Sequence, residues 1–331
     1  MRIGFLIGLG LVVLLVVWQG VATIVDRLAD AGWAILLVAL FIPPNLILSA
    51  ASYQMLFPRH RRPRFVDTAL AMWIGTSVNF LLPVATVGGE FVKARILTLR
   101  SVQGVDAAAS VVLDKTVQAL SVLIWAMVGT AILAVIAPPD EPLVTAAAVG
   151  ALLLALGITG FILVQNAGVF RRMAGSAARL SRSGKWQSLV DNAADLDAAI
   201  RQLYRQRADF AVSVIYRVGK RAVLASRVWM VAWLLGYPIG LEEAVMVNSL
   251  AVALRSVAFA VPGGLGVQEG GYIVVGALIG LPPDVMLAIS LATRLGELIE
   301  GLPGLLAWQY TEGEVYWDRR RKAASQPPPL E

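Results

Sequence analysis

The 331-residue sequence has no cysteine and one histidine, His60, which sits in a basic stretch. Disulfides, iron–sulfur clusters and thiol nucleophiles are thereby excluded, and a histidine-based metal site has nothing to be built from. Charge is scarce too: 15% of residues are Asp, Glu, Lys or Arg, against 58% hydrophobic residues and a mean hydropathy of +0.72. A soluble domain of this length has no use for so much apolar surface. The alternating strand pattern of a membrane barrel is missing, as is any ATP-binding motif. Apolar runs of about 20 residues are present instead, each able to cross a bilayer core of about 30 Å as a helix. The expected fold class is therefore all-α, a polytopic helical membrane protein.

The net charge of +6 and the isoelectric point near 9.8 do not point to nucleic acid. Lys and Arg concentrate in "PRHRRPR" (58–64), in the polar segment 171–221 and in "DRRRK" (318–322). These runs lack interleaved aromatics, and their placement is that of cytoplasmic loops. On that bias both termini are expected inside. Residues 3–24 form a retained first span, longer than a signal-peptide core and without a small-residue cleavage site before Asp26 and Arg27.

Six full spans are expected, at 3–24, 32–57, 107–137, 142–165, 222–239 and 284–310. Between them lie two re-entrant hairpins entering from opposite faces. The first is 66–82 with 90–100, broken at Pro83 and the pair Gly88 and Gly89; the second is 243–261 with 271–281, broken at "PGGLGVQEGG". Together they make one transmembrane domain, residues 1–310, with halves of about 32–165 and 210–310. Residues 168–209 between the halves read as a cytoplasmic amphipathic segment whose "SLVDNAADLDAAIRQLY" helix lies on the inner membrane surface. Residues 311–331 form a basic, Pro-rich cytoplasmic tail.

The two breaks align without a gap when Ser77 is laid on Ser256, "SVNFLLPVATVGGE" over "SVAFAVPGGLGVQE". The coincidences fall on the proline and on one carboxylate per hairpin, Glu90 and Glu269; at the same offset Lys115 falls on Arg294. Inverted repeats with broken helices are a recurrent build of secondary transporters. Irregular backbone at membrane depth must be buried in protein or line a wet cavity, so two breaks imply a shared polar cavity.

Charges at that depth cost about 2.5–3.5 kcal/mol each on insertion scales, which makes each one a candidate for pairing or function. The candidate substrate-binding set comprises Asn79, Pro83, Gly88, Gly89, Glu90, Lys93 and Arg95 in the first hairpin. In and before the second it comprises Arg255, Pro262, Gly263, Gly264, Gly266, Gln268 and Glu269. Asp114, Lys115, Arg294 and Glu297 on the following spans complete it, with Glu300 as a further intramembrane charge. Asp114 and Lys115, adjacent on a helix, point about 100° apart and should have different partners, whereas Arg294 and Glu297 share a face. The bland alternative is that these charges only cement the halves together. Glu90 and Glu269 follow Gly-rich breaks whose free N–H groups can form an anion-binding concavity; each carboxylate can pair with a cation of the other half, bind a proton or ion, or meet a cationic headgroup. The tryptophans read as an interfacial belt and "LPG" at 302–304 as a helix irregularity.

The motifs "NFLLPVATVGGEFVKAR" with "ASVVLDK", and "PGGLGVQEG" with "ATRLGELIEGLPG", resemble the transmembrane, flippase-like domain of lysylphosphatidylglycerol synthases and its stand-alone relatives. The resemblance covers nearly the whole chain, and "LLPVATVGGE" is similar to the hopanoid-biosynthesis-associated branch. It implies a non-enzymatic flippase that moves a hopanoid-type or anionic phospholipid headgroup between leaflets of a bacterial inner membrane, without a cofactor. Lys93, Arg95, Lys115, Arg255 and Arg294 would attract anionic oxygen, balanced by Glu90, Glu269 and Asp114. In the two-domain synthases a separate soluble C-terminal domain attaches an aminoacyl group to phosphatidylglycerol; here the chain ends soon after the last span, so a stand-alone member is expected and aminoacyl transfer is not inferred. The implied partners are membrane lipids, with lipid-biosynthesis or export proteins beside them. The competing readings are a non-transporting scaffold for lipid-biosynthesis enzymes and a carrier for a small soluble anion.

Overall fold

The proline and glycine positions set where the helices begin and end. In the computed structural model, which describes residues 32–82, 88–136, 142–166, 185–257 and 266–324, a 3-10 segment Gly32–Phe41 gives way to α1 (Ile42–Gln54) where two prolines occupy the first helical turn. Proline is tolerated there because that turn's N–H groups have no intrahelical acceptor. Next comes α2 (Phe65–Leu81), which stops because the residue before a proline avoids the helical region: Leu82, ahead of Pro83, is extended at φ −106°, ψ 143°. Then follow α3 (Gly88–Leu99), α4 (Gly104–Ile136), α5 (Pro142–Asn166), α6 (Lys185–Arg205), α7 (Arg207–Leu234), α8 (Leu241–Val257), α9 (Val267–Ala277) and α10 (Pro283–Ala324). Among the described residues there is no strand, and the expected all-α class holds.

Three helical stretches are long and apolar enough to cross a membrane: Gly32–Gln54, Gly104–Ile136 and Val144–Gln165. They fall on three of the six expected spans. The span expected at 284–310 lies within the longer, more charged α10, and that expected at 222–239 starts inside α7 and runs past its end at Leu234. The expected span 3–24, the breaks at Pro83, Pro262, Gly263 and Gly264, and residues 325–331 lie outside the described residues. The stretch read as a tail from 311 onward is in part a continuation of α10, which carries "DRRRK" to Ala324.

Two hairpins, α2–α3 and α8–α9, are each followed by a long helix, α4 and α10. Each hairpin's first helix packs on the long helix of the other half: α2 on α10 and α8 on α4, while α1 lies on α7. Exchanging α1–α4 for α7–α10 largely preserves this pattern of neighbours, the relation anticipated from the aligned breaks. Close approach rests on small residues, as expected where helices associate without hydrophobic drive. Gly304 of α10 receives Ser77 and Trp73 of α2, and Gly129 of α4 receives Ser249 of α8. Two apolar clusters mark the halves. One gathers Tyr53, Met72, Ile96 and Leu113 with Ile200 and Leu203 of α6; the other gathers Met246, Val247, Tyr272, Met286 and Ile289.

The amphipathic helix differs from expectation. α6 turns its apolar face onto α4; Tyr204 of α6 donates to Gln165 Oε1 at 2.7 Å, and Gln165 Nε2 donates to Thr116 Oγ1 at 3.2 Å. A moment that suits a lipid interface suits a protein groove equally well.

Candidate functional site

Each hairpin returns through a helix whose first turn holds the carboxylate, the position a helix dipole favours for an anion. Glu90 sits in the first turn of α3 and Glu269 in the first turn of α9. Beside Glu90, Asn79 of α2 accepts from the Gly89 N–H at 2.9 Å and donates to Glu90 Oε1 at 3.3 Å, which clips the end of α2 to the start of α3. No side chain fits at Gly89, because a Cβ there would collide with the Gly75 carbonyl and Asn79. In the second hairpin the Gly266 N–H donates to Glu269 Oε2 at 2.7 Å, with Gly266 at φ +79°, a conformation glycine adopts without strain. The backbone N–H groups of Gly89 and Gly266 are thus taken by Asn79 and Glu269 themselves; the rest of each break lies outside the described residues.

The cations complete two networks. Lys93 Nζ lies 2.5 Å from Glu90 and 2.6 Å from Asp114, and 5.1 Å from the centre of the Tyr53 ring. Lys115 Nζ is 2.7 Å from Glu90 Oε1, and Arg217 of α7 pairs with Asp114. In the other half Arg294 pairs with Glu269 and stands 3.7 Å from Glu297, while Arg255 reaches Glu297 Oε1 at 3.0 Å and Gln268 Oε1 at 2.7 Å. The residues joined by the constant offset, Glu90 with Lys115 and Glu269 with Arg294, therefore form the equivalent ion pair in each half. Both carboxylates pair within their own half. Asp114 with Arg217 is a fully buried ion pair that joins the halves.

Asp114 and Lys115 have different partners, and Arg294 and Glu297 meet on one face, as their spacing implies. Arg95 stands apart from both networks: its side chain is 44% exposed and pairs with Glu312 of α10 at 3.1 Å. Gly88 opens α3 beside Gly89, and Pro83, Pro262, Gly263 and Gly264 fall outside the described residues.

Several participants escaped sequence reasoning. Arg217, Lys220, Arg221 and Arg227 were counted with the cytoplasmic polar segment or passed over, yet they lie on one continuous helix, α7, and Arg217 is 3% exposed. The spacing of 217, 220 and 227 was the available signal, because it keeps those three within about 80° of one another on a helix. Glu300 accepts two hydrogen bonds from Asn45 Nδ2, at 3.1 and 3.3 Å. Two tryptophans are internal and not part of a belt: Trp73 donates to the Glu300 carbonyl at 2.9 Å and Trp125 to Asn248 Oδ1 at 3.1 Å, one at each crossing between the halves. The belt reading suits Trp229 and Trp233, which both donate to the Ile239 carbonyl beyond the end of α7.

Next to the second hairpin an apolar cavity of about 180 Å³ opens between α4, α5, α8 and α9, walled by Thr130, Leu133, Gly150, Leu254 and Leu278 among others. Beyond it α5 exposes Leu152, Leu153, Leu156 and Leu163, an apolar surface fit for lipid. Among the described residues no cluster of His, Cys, Asp and Glu is arranged to hold a metal ion.

Compared with known families, residues 5–302 match the model of the lysylphosphatidylglycerol synthase TM region. No curated protein and no solved structure matches the chain.

Proposed function

Because the chain belongs to the lysylphosphatidylglycerol synthase TM region family, and so is a membrane protein related to lipid handling, we propose that it moves a lipid headgroup between the leaflets of a bacterial inner membrane. The observation that carries this reading is the duplicated pair, Glu90–Lys115 and Glu269–Arg294, placed at the broken end of each hairpin. Two related half-sites, one in each half of an inverted repeat, suit alternating access. The headgroup is handled by the charged half-sites of the hairpins while its tail stays apolar, with the cavity beside α5 available to it. The protein works without a cofactor and as a transporter, not an enzyme, with both termini on the cytoplasmic side. Membrane lipids are its partners, and enzymes of lipid synthesis or export supply or take up what it moves. A hopanoid or an anionic phospholipid are the two cargo classes the sequence motifs favour.

The test is the purified full chain in vesicles carrying a fluorescent phospholipid in one leaflet. Wild type should equilibrate the label, and Glu90→Gln or Glu269→Gln should abolish movement while retaining the helical content of wild type. Wild-type protein that moves no lipid, or variants that move it at the wild-type rate, would overturn the proposal. The internal satisfaction of both networks favours one rival, a scaffold in which the charges serve stability alone. That rival predicts no movement by purified protein and full recovery of stability in the Arg294→Glu/Glu269→Arg exchange.

A further inference from the structure

The hairpin cations have carboxylate partners; those of α7 beyond Arg217 do not. Lys93, Lys115, Arg217, Arg255 and Arg294 each stand within ion-pair distance of Glu or Asp. Among the described residues Lys220, Arg221 and Arg227 have no carboxylate within that distance. Arg221 donates only to neutral oxygens, Ser121 Oγ at 3.0 Å and the Gln118 carbonyl at 3.4 Å. Arg227 is 7% exposed, lies against Gly296 of α10, and its Nε is buried with no hydrogen-bond partner among the described residues. Glu297 and Glu300 act on Arg227, and Glu300 and Asp114 act on Lys220, but each of these carboxylates is already engaged, Glu297 by Arg255, Glu300 by Asn45 and Asp114 by Lys93 and Arg217.

A buried cation whose nearby carboxylates are shared with other cations is expensive, and the cost falls when an anion enters. Lys220 and Arg227, seven residues apart, share one face of α7 with Arg217 nearby, whereas Arg221 turns about 100° away from Lys220 onto α4; the helix runs from the Asp114 network towards α10. Arginine presents a fork of donors suited to two oxygens of one oxyanion, and lysine adds a point charge. We propose that Lys220 and Arg227 form an anion-binding ladder on α7 that takes a phosphate-type oxyanion, the headgroup phosphate of the cargo. The hairpin carboxylates and their partners then form the moving frame, and α7 is the surface that the headgroup contacts. This rests on the lipid-transport reading and narrows it to phosphate-bearing lipids.

The test is native mass spectrometry of the detergent-purified full chain titrated with phosphatidylglycerol, with diacylglycerol, which lacks the phosphate, and with inorganic phosphate as separate arms. Wild type should bind phosphatidylglycerol in preference to diacylglycerol. Lys220→Gln/Arg227→Gln should weaken phosphatidylglycerol binding by at least about tenfold, the loss of one or two charged hydrogen bonds, and Arg227→Lys should retain most of it. Displacement of phosphatidylglycerol by inorganic phosphate identifies the bare oxyanion as the recognised group; failure to displace it shows that the ladder takes the phosphate only as part of a lipid. Because these cations have no ion-pair partner, Arg227→Gln should not lower the melting temperature of the lipid-free protein, whereas Arg217→Gln, which strands Asp114, should. Equal binding of the two lipids, or binding unchanged in the double variant, overturns the ladder. The vesicle assay is separate: absence of lipid movement by wild type defeats the transport reading whatever the ladder binds.

Discussion

At the scale of single residues, Asp114 is where the site is most sensitive. It is 2% exposed and meets Lys93 of its own half and Arg217 of the other. Asp114→Asn leaves two buried cations facing a neutral amide, and breaking a buried pair from one side costs about 3–5 kcal/mol. A large drop in melting temperature is therefore expected in detergent. Lys115→Gln should be much milder, since that side chain is 32% exposed and Glu90 keeps Lys93 at 2.5 Å; equal losses in the two variants would show that exposure does not set the cost. The charges themselves were legible in the sequence, because acidic and basic residues in an apolar run stand out and the offset from Ser77 to Ser256 related them. Their partners were less legible. Asp114 finds Arg217 only through the packing of α4 on α7, and a charge density that marks a cytoplasmic loop also marks a helix whose polar face turns inward.

At the scale of elements, glycines decide how closely the halves meet. Gly304 has Ser77 and Trp73 against its Cα, and Gly301 has Leu81. Gly304→Val forces α10 off α2 and also disturbs the Trp73 hydrogen bond to Glu300, so a loss of several kcal/mol is expected, of the size seen for overpacked cores. The same change at Gly313, which has nothing near it, should be nearly silent, and a comparison of the two melting curves checks this. A second expectation concerns the water-facing edge, where Asp209 at the start of α7 accepts from Arg59 Nε at 2.8 Å and lies 2.8 Å from Arg62. The hydrogen bond from Arg59, with Arg62 beside it, holds the Asp209 carboxyl below its ordinary range. A group with a depressed folded pKa stabilises above its unfolded value of about 3.9, and that contribution fades as pH falls through the lower folded value. Wild type should therefore exceed Asp209→Asn in stability at neutral pH, and the gap should close below about pH 4. Since Arg59 is 68% exposed, solvent screening limits the gap to about 1 kcal/mol. A gap that widens on acidification would contradict the assignment. Helix positions were readable from apolar runs and proline breaks; the docking of α6 was not, because an amphipathic face specifies apolar contact and leaves its partner open.

At the scale of the whole molecule, the transport reading requires α1–α4 to move against α7–α10, and α1 crosses α7 at a place where that motion can be stopped. Ser52 Oγ donates to the Ser213 carbonyl at 2.9 Å, Ser213 Oγ donates to the Ser52 carbonyl at 2.9 Å, and the two hydroxyls are also 2.9 Å apart. Side chains this close approach the Cβ separation of about 3.5–4.5 Å that a disulfide needs. The sequence has no cysteine of its own, so Ser52→Cys/Ser213→Cys introduces the sole thiols and any crosslink is theirs. Oxidation should give a faster-migrating monomer band on non-reducing gels and arrest lipid movement in vesicles, and reduction should restore it. Each single cysteine variant should move lipid under both conditions. The repeat that motivates this test was visible in sequence only at the two breaks; elsewhere the halves share packing relations, and those relations emerge only when α2 is seen on α10 and α8 on α4. If the fully crosslinked protein still moves lipid at the uncrosslinked rate, the halves do not shift at the α1–α7 crossing, and transport must proceed by motion of the hairpins alone against a fixed frame.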